Sequence, residues 1–227
     1  MRLLIFGTGR VGNSFAHYAS HLGIKTTVAT HAMAEDDKAP VTDMIRDADV
    51  VAAAIPDDRL YAWREKFIAE IGKRPAIHFS GALTIPGLRG YHPLYSFPEK
   101  PLPPEIMAGI AIAREEGAAP FSQILPGAAN PEIVVRADDR AYYHALAVLS
   151  GNFAAHLWNE AARGFAGRFG VPPESIFSSY LAGVVDRFRE NPFDSMTGPV
   201  ARRDARSVAA NRAALASEPR LLALYDA

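Results

Sequence analysis

The hexapeptide "GTGRVG" near the start of the chain constrains the fold more than any other feature of the sequence. Its glycines, Gly7, Gly9 and Gly12, have the spacing G-x-G-x-x-G. They follow an apolar segment of strand length, Arg2 to Phe6, and precede a segment whose apolar residues recur at helical spacing. In this context the first glycine permits a tight turn, the second lets the backbone approach a diphosphate, and the third allows a helix to pack closely on a strand. A turn without a ligand is the alternative. We expect dinucleotide binding, through the six residues Gly7, Thr8, Gly9, Arg10, Val11 and Gly12.

The rest of the first 138 residues alternates short apolar segments with amphipathic ones. Further strands are predicted at residues 25–30, 50–55, 76–81, 109–113 and 132–136. Strands that alternate with helices are typical of a parallel sheet covered by helices. From Arg140 onward only helical spacing is found. The sequence therefore predicts an α/β fold, with a doubly wound, mostly parallel Rossmann sheet in residues 1–138 and an all-helical domain in residues 139–227.

The ends of the predicted strands bear on the choice of cofactor. Ligands of a doubly wound sheet collect at the carboxyl ends of its strands. Thr30, His31, Pro56 and Ser80 are therefore also predicted to contact the cofactor. Proteins that bind NAD usually carry Asp or Glu about 20 residues beyond the glycines, where this chain has Thr30 and His31. The missing carboxylate favours NADP over NAD. No arginine stands at this strand end to bind a 2′-phosphate, so NAD remains open.

The segment "GYHPLYSFP", Gly90 to Pro98, is predicted to be a rigid loop. Its two prolines exclude a helix, yet it carries a histidine and three aromatic residues. His92, restrained by Pro93, would face the crevice at the carboxyl ends of the strands, where a nicotinamide ring would lie. The alternative is that His92 only hydrogen-bonds a backbone carbonyl.

Five segments in the order "GTGRVG", "HFSGAL", "GYHPLYSF", "YYHALAVLSGNF" and "MTGPVARRD" resemble a family of bacterial two-domain proteins. These proteins join a Rossmann-like NADP-binding domain to a small helical domain of unknown function, and the resemblance spans essentially the whole chain. The family is similar to the 6-phosphogluconate dehydrogenase-like superfamily, which includes ketopantoate reductases. The resemblance implies a reductase that forms a homodimer through its helical domain. The chain departs from the family at Arg203, where glycine is common, and at Asn211, where histidine is common.

The helical half offers further candidates for a reductase site. Reduction of a carbonyl group needs a proton donor, a group that polarises the oxygen and usually a cation for a substrate carboxylate. Asn152 lies among small and apolar neighbours, where an amide needs a partner. Arg202 can bind a carboxylate through two hydrogen bonds; the alternative pairs it at the surface with Asp204, itself a helix cap. His144 is a further candidate proton donor. The predicted catalytic set is Asn152, His92 and Arg202.

These residues together favour an oxidoreductase. We expect reduction by NAD(P)H of a small 2-oxo acid, similar to ketopantoate, or of a related imine. No lysine follows Lys100, so a lysine of the helical half cannot serve as the acid or base. The alternative function is a dinucleotide sensor without catalysis, whose helical domain binds a partner.

Composition excludes several other classes. The chain has no cysteine, and its seven histidines show no paired ligand motif such as H-E-x-x-H, so we expect no metal site. A net charge of −1 gives no basic surface for nucleic acid. No apolar segment reaches the roughly 20 residues of a membrane span. The apolar start of the chain lacks a cleavage site, so we expect a cytoplasmic protein rather than a secreted one.

Overall fold

The computed structural model describes residues 1–30, 32–33 and 38–227. Its residues form two compact units, Met1–Val148 and Leu149–Ala227. The domain boundary expected between Asp138 and Asp139 stays a prediction. The two compact units meet ten residues later along the chain.

A seven-stranded sheet forms the centre of the first unit, in the order β2-β1-β3-β4-β5-β6-β7. Adjacent strands are parallel except for β5 and β6, which are antiparallel. The strands are β1 (Arg2–Phe6), β2 (Lys25–Ala29), β3 (Val50–Ala53), β4 (Ala76–His78), β5 (Arg89–Pro93), β6 (Ile112–Glu115) and β7 (Glu132–Val135). This arrangement confirms the expected α/β fold. The chain leaves β1 towards β2 on one side and returns to β3 on the other, which opens a crevice at the carboxyl end of β1.

Side chains alternate between the two faces of this sheet and build a core on each face. On one face, Leu3 and Ile5 pack with Phe15 of the first helix. On the other face, Leu4 and Phe6 pack with buried aromatic residues of the third helix. The helices of this unit are α1 (Arg10–His21), α2 (Lys38–Asp47), α3 (Asp57–Ile71), α4 (Pro104–Gly109), α5 (Phe121–Ile124) and α6 (Arg140–Ala147), with a 3₁₀ turn at Ala137–Asp139.

The second unit is helical throughout. After a π-helical segment, Val148–Phe153, the helices are α7 (Ala154–Phe169), α8 (Pro173–Glu190), α9 (Gly198–Ala201), α10 (Ala205–Ala214) and α11 (Pro219–Asp226). Gly170 ends α7 in the left-handed conformation, with φ of 65°. Asp204 caps α10 by accepting a hydrogen bond from the Ser207 backbone N–H at 3.0 Å. No residue of Leu149–Ala227 is fully buried in the single chain.

Two local expectations are wrong. The segment from Gly90 was expected to be a loop, but Arg89–Pro93 forms strand β5 in the middle of the sheet. Pro93 is tolerated because it is the last residue of the strand. The helix expected to run unbroken from Arg140 to the glycine at 170 is interrupted by the π-helical segment. Among the described residues, no helix is long and apolar enough to cross a membrane.

Candidate functional site

The glycine turn after β1 brings three backbone segments into close contact. Gly7 has φ of 109°, and a Cβ at this position would lie 2.2 Å from the carbonyl oxygen of Ala54. A Cβ at Gly12 would lie 2.2 Å from the carbonyl oxygen of Gly7. A backbone hydrogen bond stabilises the same contact: the Ala54 N–H donates to the Phe6 carbonyl at 2.8 Å. Both glycines are therefore required by packing, whether or not a ligand binds.

Gly9 differs from its two neighbours in the motif. A Cβ on Gly9 would meet no other atom within 4 Å, and its extended backbone suits any residue. It immediately precedes helix α1, and its own side-chain position faces open space. The side chain of Asn13 holds the turn from the helix side by donating to the Thr8 carbonyl at 2.8 Å. Packing gives no reason for glycine at this position, whereas close approach of a ligand to the backbone does.

A cavity of about 540 Å³ lies beside this turn. The predicted residues Gly7, Thr8, Gly9, Thr30 and Pro56 all line it. Helix α3 supplies further lining residues that the sequence did not indicate: Asp58, Arg59, Ala62, Trp63, Lys66 and Phe67. The volume lies in the range typical of small-molecule sites, about 300–1,000 Å³.

A second group of polar side chains lies at the ends of β4 and β5. On β5, the Nδ1 atom of His92 is 2.8 Å from the hydroxyl oxygen of Tyr143 on α6. The His144 ring stands edge to face with the His92 ring, with centroids 5.9 Å apart. Gly81 lies against both imidazoles, because a Cβ there would be 2.6 Å from His144 Cδ2 and 3.0 Å from His92 Nε2. We call His92, Tyr143, His144 and Arg140 the imidazole cluster.

Arg140 is the buried cation of the imidazole cluster, with only 2% of its surface exposed. Its Nη2 atom donates to the Ser80 carbonyl at 2.5 Å, and its guanidinium group lies directly over Gly90. Burial lowers the pKa of Arg140, and the carboxylate of Glu115 opposes that shift most strongly. Glu115 is itself buried and accepts a hydrogen bond from the Gly90 backbone N–H at 3.2 Å.

Ser80 connects the imidazole cluster to the cavity. Its hydroxyl donates to Asp57 at 2.7 Å and accepts from the backbone N–H groups of Ala82 and Leu83. Asp57 is the first residue of α3 and follows Pro56, which lines the cavity. The Ser80 hydroxyl is therefore used within the protein to brace the loop after β4.

Two histidines, the buried His78 and the half-buried His92, are neutral at pH 7. The pKa of His92 is lowered to about 4, mainly by burial and then by His144 and Arg140. The pKa of His78 is also lowered to about 4, by burial and by Arg140. Both ring nitrogens of His78 are buried without a hydrogen-bond partner among the described residues. Burial raises the pKa of Tyr143 to about 12, so its hydroxyl also stays neutral.

The structure thus places most predicted residues of the first unit in the cavity or in the imidazole cluster. Arg10, Val11 and Gly12 do not line the cavity; Val11 packs against the core and Gly12 against Gly7. Ser80 lies between the cavity and the cluster. His31 lies outside the described residues. In the second unit, Asn152 is exposed in the π-helical segment, so the expectation that its amide is enclosed by apolar neighbours is wrong. Arg202 is an exposed residue at the end of α9. The roles of Asn152 and Arg202 stay predictions.

Several residues of the site were missed by the sequence patterns. They are Asp57, His78, Glu115, Arg140 and Tyr143. Tyr143 and Arg140 lie 51 and 60 positions from their partners, so no local spacing connects them. The described residues contain no group of three or more His, Asp or Glu side chains that could hold a metal ion.

Comparisons with known proteins give both a family and a fold. The model of the family described as "Domain of unknown function (DUF2520)" matches residues 107–227. Comparison with curated proteins gives no match. Protein TM1727 from Thermotoga maritima has 22% identity and a TM-score of 0.73, over 99% of this chain and 94% of that chain. A Bacteroides fragilis protein, provisionally named an NADP oxidoreductase, has 15% identity and a TM-score of 0.73, over 99% of this chain and 95% of that chain.

A third similar structure is the pyrroline carboxylate reductase of Plasmodium falciparum with NADP bound. It has 11% identity and a TM-score of 0.62, over 100% of this chain and 96% of that chain. At such identities the likeness shows the fold alone. Together with the family match, it confirms the resemblance to two-domain proteins with a Rossmann-like domain and a helical region of unknown function.

We expect the free energy of unfolding to fall as the pH is lowered from 7 to 5. Between the ordinary pKa of 6.5 and the folded value of about 4, the unfolded chain binds protons at His78 and His92 that the folded chain does not. Above pH 6.5 both states are neutral and this contribution disappears. Each histidine should account for about 2 kcal/mol between pH 7 and pH 5.

Urea unfolding at the two pH values measures this loss. In the variant His92→Gln, the difference in the free energy of unfolding between pH 7 and pH 5 should be about half as large as in the wild-type protein. In His17→Gln, at an exposed position of α1, the difference should be unchanged. An undiminished pH dependence in His92→Gln would show that this imidazole is already protonated or freely hydrated in the folded chain.

Proposed function

The chain belongs to the DUF2520 family, and we propose that it is an NAD(P)H-dependent reductase of a small 2-oxo acid or a related imine. The observation that carries the proposal is the open backbone at Gly9 beside a cavity of about 540 Å³. Gly7 and Gly12 are explained by packing alone, but Gly9 is not. Close approach of a diphosphate to the turn accounts for it.

The residues that line the cavity fit a dinucleotide. Gly7, Thr8 and Gly9 would hold the diphosphate at the start of α1, and Thr30 and Pro56 would contact the remainder of the cofactor. A bound nicotinamide would supply a hydride. Names of similar structures support this assignment, since the Plasmodium falciparum enzyme was solved with NADP.

The protein's own residues would prepare the substrate for that hydride. His92 would polarise the reacting group, as the sequence suggested, and the imidazole cluster fixes its ring. In the second unit, Arg202 would bind the substrate carboxylate and Asn152 would orient the substrate. In a non-catalytic sensor, by contrast, no substrate would be consumed.

NADP is the preferred cofactor in this proposal. Arg59 and Lys66 on α3 line the same cavity as Thr30, so cationic side chains reach the site from a helix rather than from the end of β2. Arg59 is exposed, and its side chain makes no hydrogen bond or ion pair with the residues that the structure describes. A guanidinium group in this position suits a 2′-phosphate.

The helical unit would form the interface of a homodimer. Its exposed aromatic residues in the single chain include Phe153, Trp158, Phe165, Phe169, Tyr180, Phe188 and Phe193. A large apolar surface on a separate helical unit is typical of a protein interface. A second copy of the chain would cover this surface.

Titration with NADPH tests the central proposal. Trp63 lines the cavity and is one of two tryptophans, so the variant Trp158→Phe leaves it as the sole reporter. In this background Gly9→Ala should raise the Kd for NADPH roughly tenfold or more, because its Cβ would occupy the space for the diphosphate. The free energy of unfolding, measured in urea, should change by less than about 1 kcal/mol in this variant. Failure of both NADPH and NADH to bind below about millimolar would remove the proposal.

Turnover separates the reductase from the sensor. NADPH absorbance should fall when the protein is mixed with a suitable member of a panel of 2-oxo acids and cyclic imines. Tight NADPH binding without turnover of any panel member would favour the sensor.

The variant Arg59→Gln should weaken NADPH binding about 10- to 100-fold and leave NADH binding nearly unchanged. The loss of a charge-assisted phosphate contact, about 1.5–3 kcal/mol, gives this range. Arg46→Gln is the matched control, because Arg46 carries the same charge on α2 and its side chain pairs with Asp43. Equal losses for NADPH and NADH would show that Arg59 does not contact a 2′-phosphate.

Light scattering at micromolar concentration should give twice the chain mass. The variant Phe188→Asp should shift the protein towards the monomer, because a carboxylate is costly to bury in an apolar interface. Tyr61→Asp provides the control, because Tyr61 is an aromatic residue of the first unit with 50% of its surface exposed, against 54% for Phe188. A monomeric wild-type protein would rule out the dimer.

A further inference from the structure

The two ring nitrogens of His92 have different surroundings. Nδ1 lies 2.8 Å from the Tyr143 hydroxyl oxygen. Nε2 packs against Gly81, where a Cβ would lie 3.0 Å from it, so the ring can take this position only because the residue is glycine. No residue among those described hydrogen-bonds to Nε2. One nitrogen is therefore hydrogen-bonded within the protein, and the other is left for a ligand to bind.

The direction of the His92–Tyr143 hydrogen bond follows from counting donors. A neutral imidazole has one N–H and one bare nitrogen, whereas a tyrosine hydroxyl both donates and accepts. A proton on Nδ1 would leave the half-buried Tyr143 O–H without an acceptor among the described residues. When Tyr143 donates instead, the ring proton lies on Nε2, and this N–H is the one group of the pair without a partner among the described residues, whereas the other tautomer leaves both the Tyr143 O–H and bare Nε2 without one.

We propose that Tyr143 is a positioning residue that holds His92 as its Nε2–H tautomer, and that this N–H donates a hydrogen bond to the carbonyl oxygen of the substrate. The inference rests on the reductase function proposed above and narrows its substrate class. Burial keeps the imidazole neutral, with a pKa of about 4. His92 therefore acts as a donor of a hydrogen bond and not as an imidazolium acid.

The charges around His92 select a carbonyl compound over a protonated imine. A carbonyl oxygen has lone pairs for the Nε2–H donor. When hydride adds to the carbonyl carbon, the electron pair of the C=O π bond moves to the oxygen, which carries negative charge until it takes a proton from water. The buried Arg140 guanidinium stabilises that charge from within the imidazole cluster. An iminium nitrogen has no lone pair to accept the hydrogen bond, and both Nε2–H and Arg140 repel its positive charge.

Nitrogen NMR of the histidine rings tests the tautomer without any cofactor. In the wild-type protein at pH 7, Nδ1 of His92 should give the resonance of a bare nitrogen and Nε2 that of a protonated one, with His92→Gln as the assignment control. Tyr143→Phe should lose this pattern and give a mixture of tautomers. Tyr142→Phe, at a neighbouring exposed tyrosine, should keep it. A protonated Nδ1 in the wild-type protein would overturn the proposal.

Kinetics test the consequence for the substrate. Tyr143→Phe should lower kcat for a 2-oxo acid roughly 10- to 100-fold without changing the Kd for NADPH, and Tyr142→Phe should change neither. An unchanged kcat in Tyr143→Phe would overturn the positioning role. Faster reduction of a cyclic imine below its own pKa than of any 2-oxo acid would overturn the substrate class. If the wild-type protein does not bind NADPH, the reductase function is refuted, while the NMR result on the tautomer still holds.

Discussion

The contact of Gly7 with Ala54 and Gly12 is the constraint on which the first unit depends. Three backbone segments meet there at distances that exclude a side chain, since a Cβ on either glycine would lie 2.2 Å from a carbonyl oxygen. The contact brings the ends of β1 and β3 together and sets where α1 begins. Gly7 and Ala54, which form this contact, also line the cavity beside Gly9, so the cavity follows from the same packing. The cavity therefore belongs to the fold rather than to a movable loop.

Arg140 is the corresponding constraint beside β4 and β5. A buried guanidinium group is costly unless its charge and its N–H groups are matched. The Ser80 carbonyl accepts from it, and Glu115 provides the opposing charge. Burial is the main cause of the lowered pKa of His78 and His92, and the Arg140 cation lowers the pKa of both imidazoles further. The buried cation that binds the loop after β4 therefore also helps to keep His92 neutral.

Local patterns predicted the elements whose signals lie within a few residues. The spacing of Gly7, Gly9 and Gly12 identified the turn, and apolar runs located β1 and β3. Strand β5 was missed because Pro93 argues against a strand, although a terminal position removes the objection. The partnership of His92 with Tyr143 was beyond local reasoning, because 51 residues separate them and only the assembled sheet brings them together. Asn152 was misjudged because apolar neighbours in sequence do not enclose a side chain on a helix.

The cavity and the imidazole cluster are joined by a short path through α3. Pro56 lines the cavity, and the next residue, Asp57, accepts the hydrogen bond of Ser80. Ser80 in turn presents its carbonyl to Arg140, whose helix carries Tyr143. Under the proposed function, the groups that hold the hydride donor and those that orient His92 would share these few rigid connections. Hydride transfer depends steeply on the distance between the reacting atoms, so a common framework of this kind preserves their alignment better than two independently mobile sites.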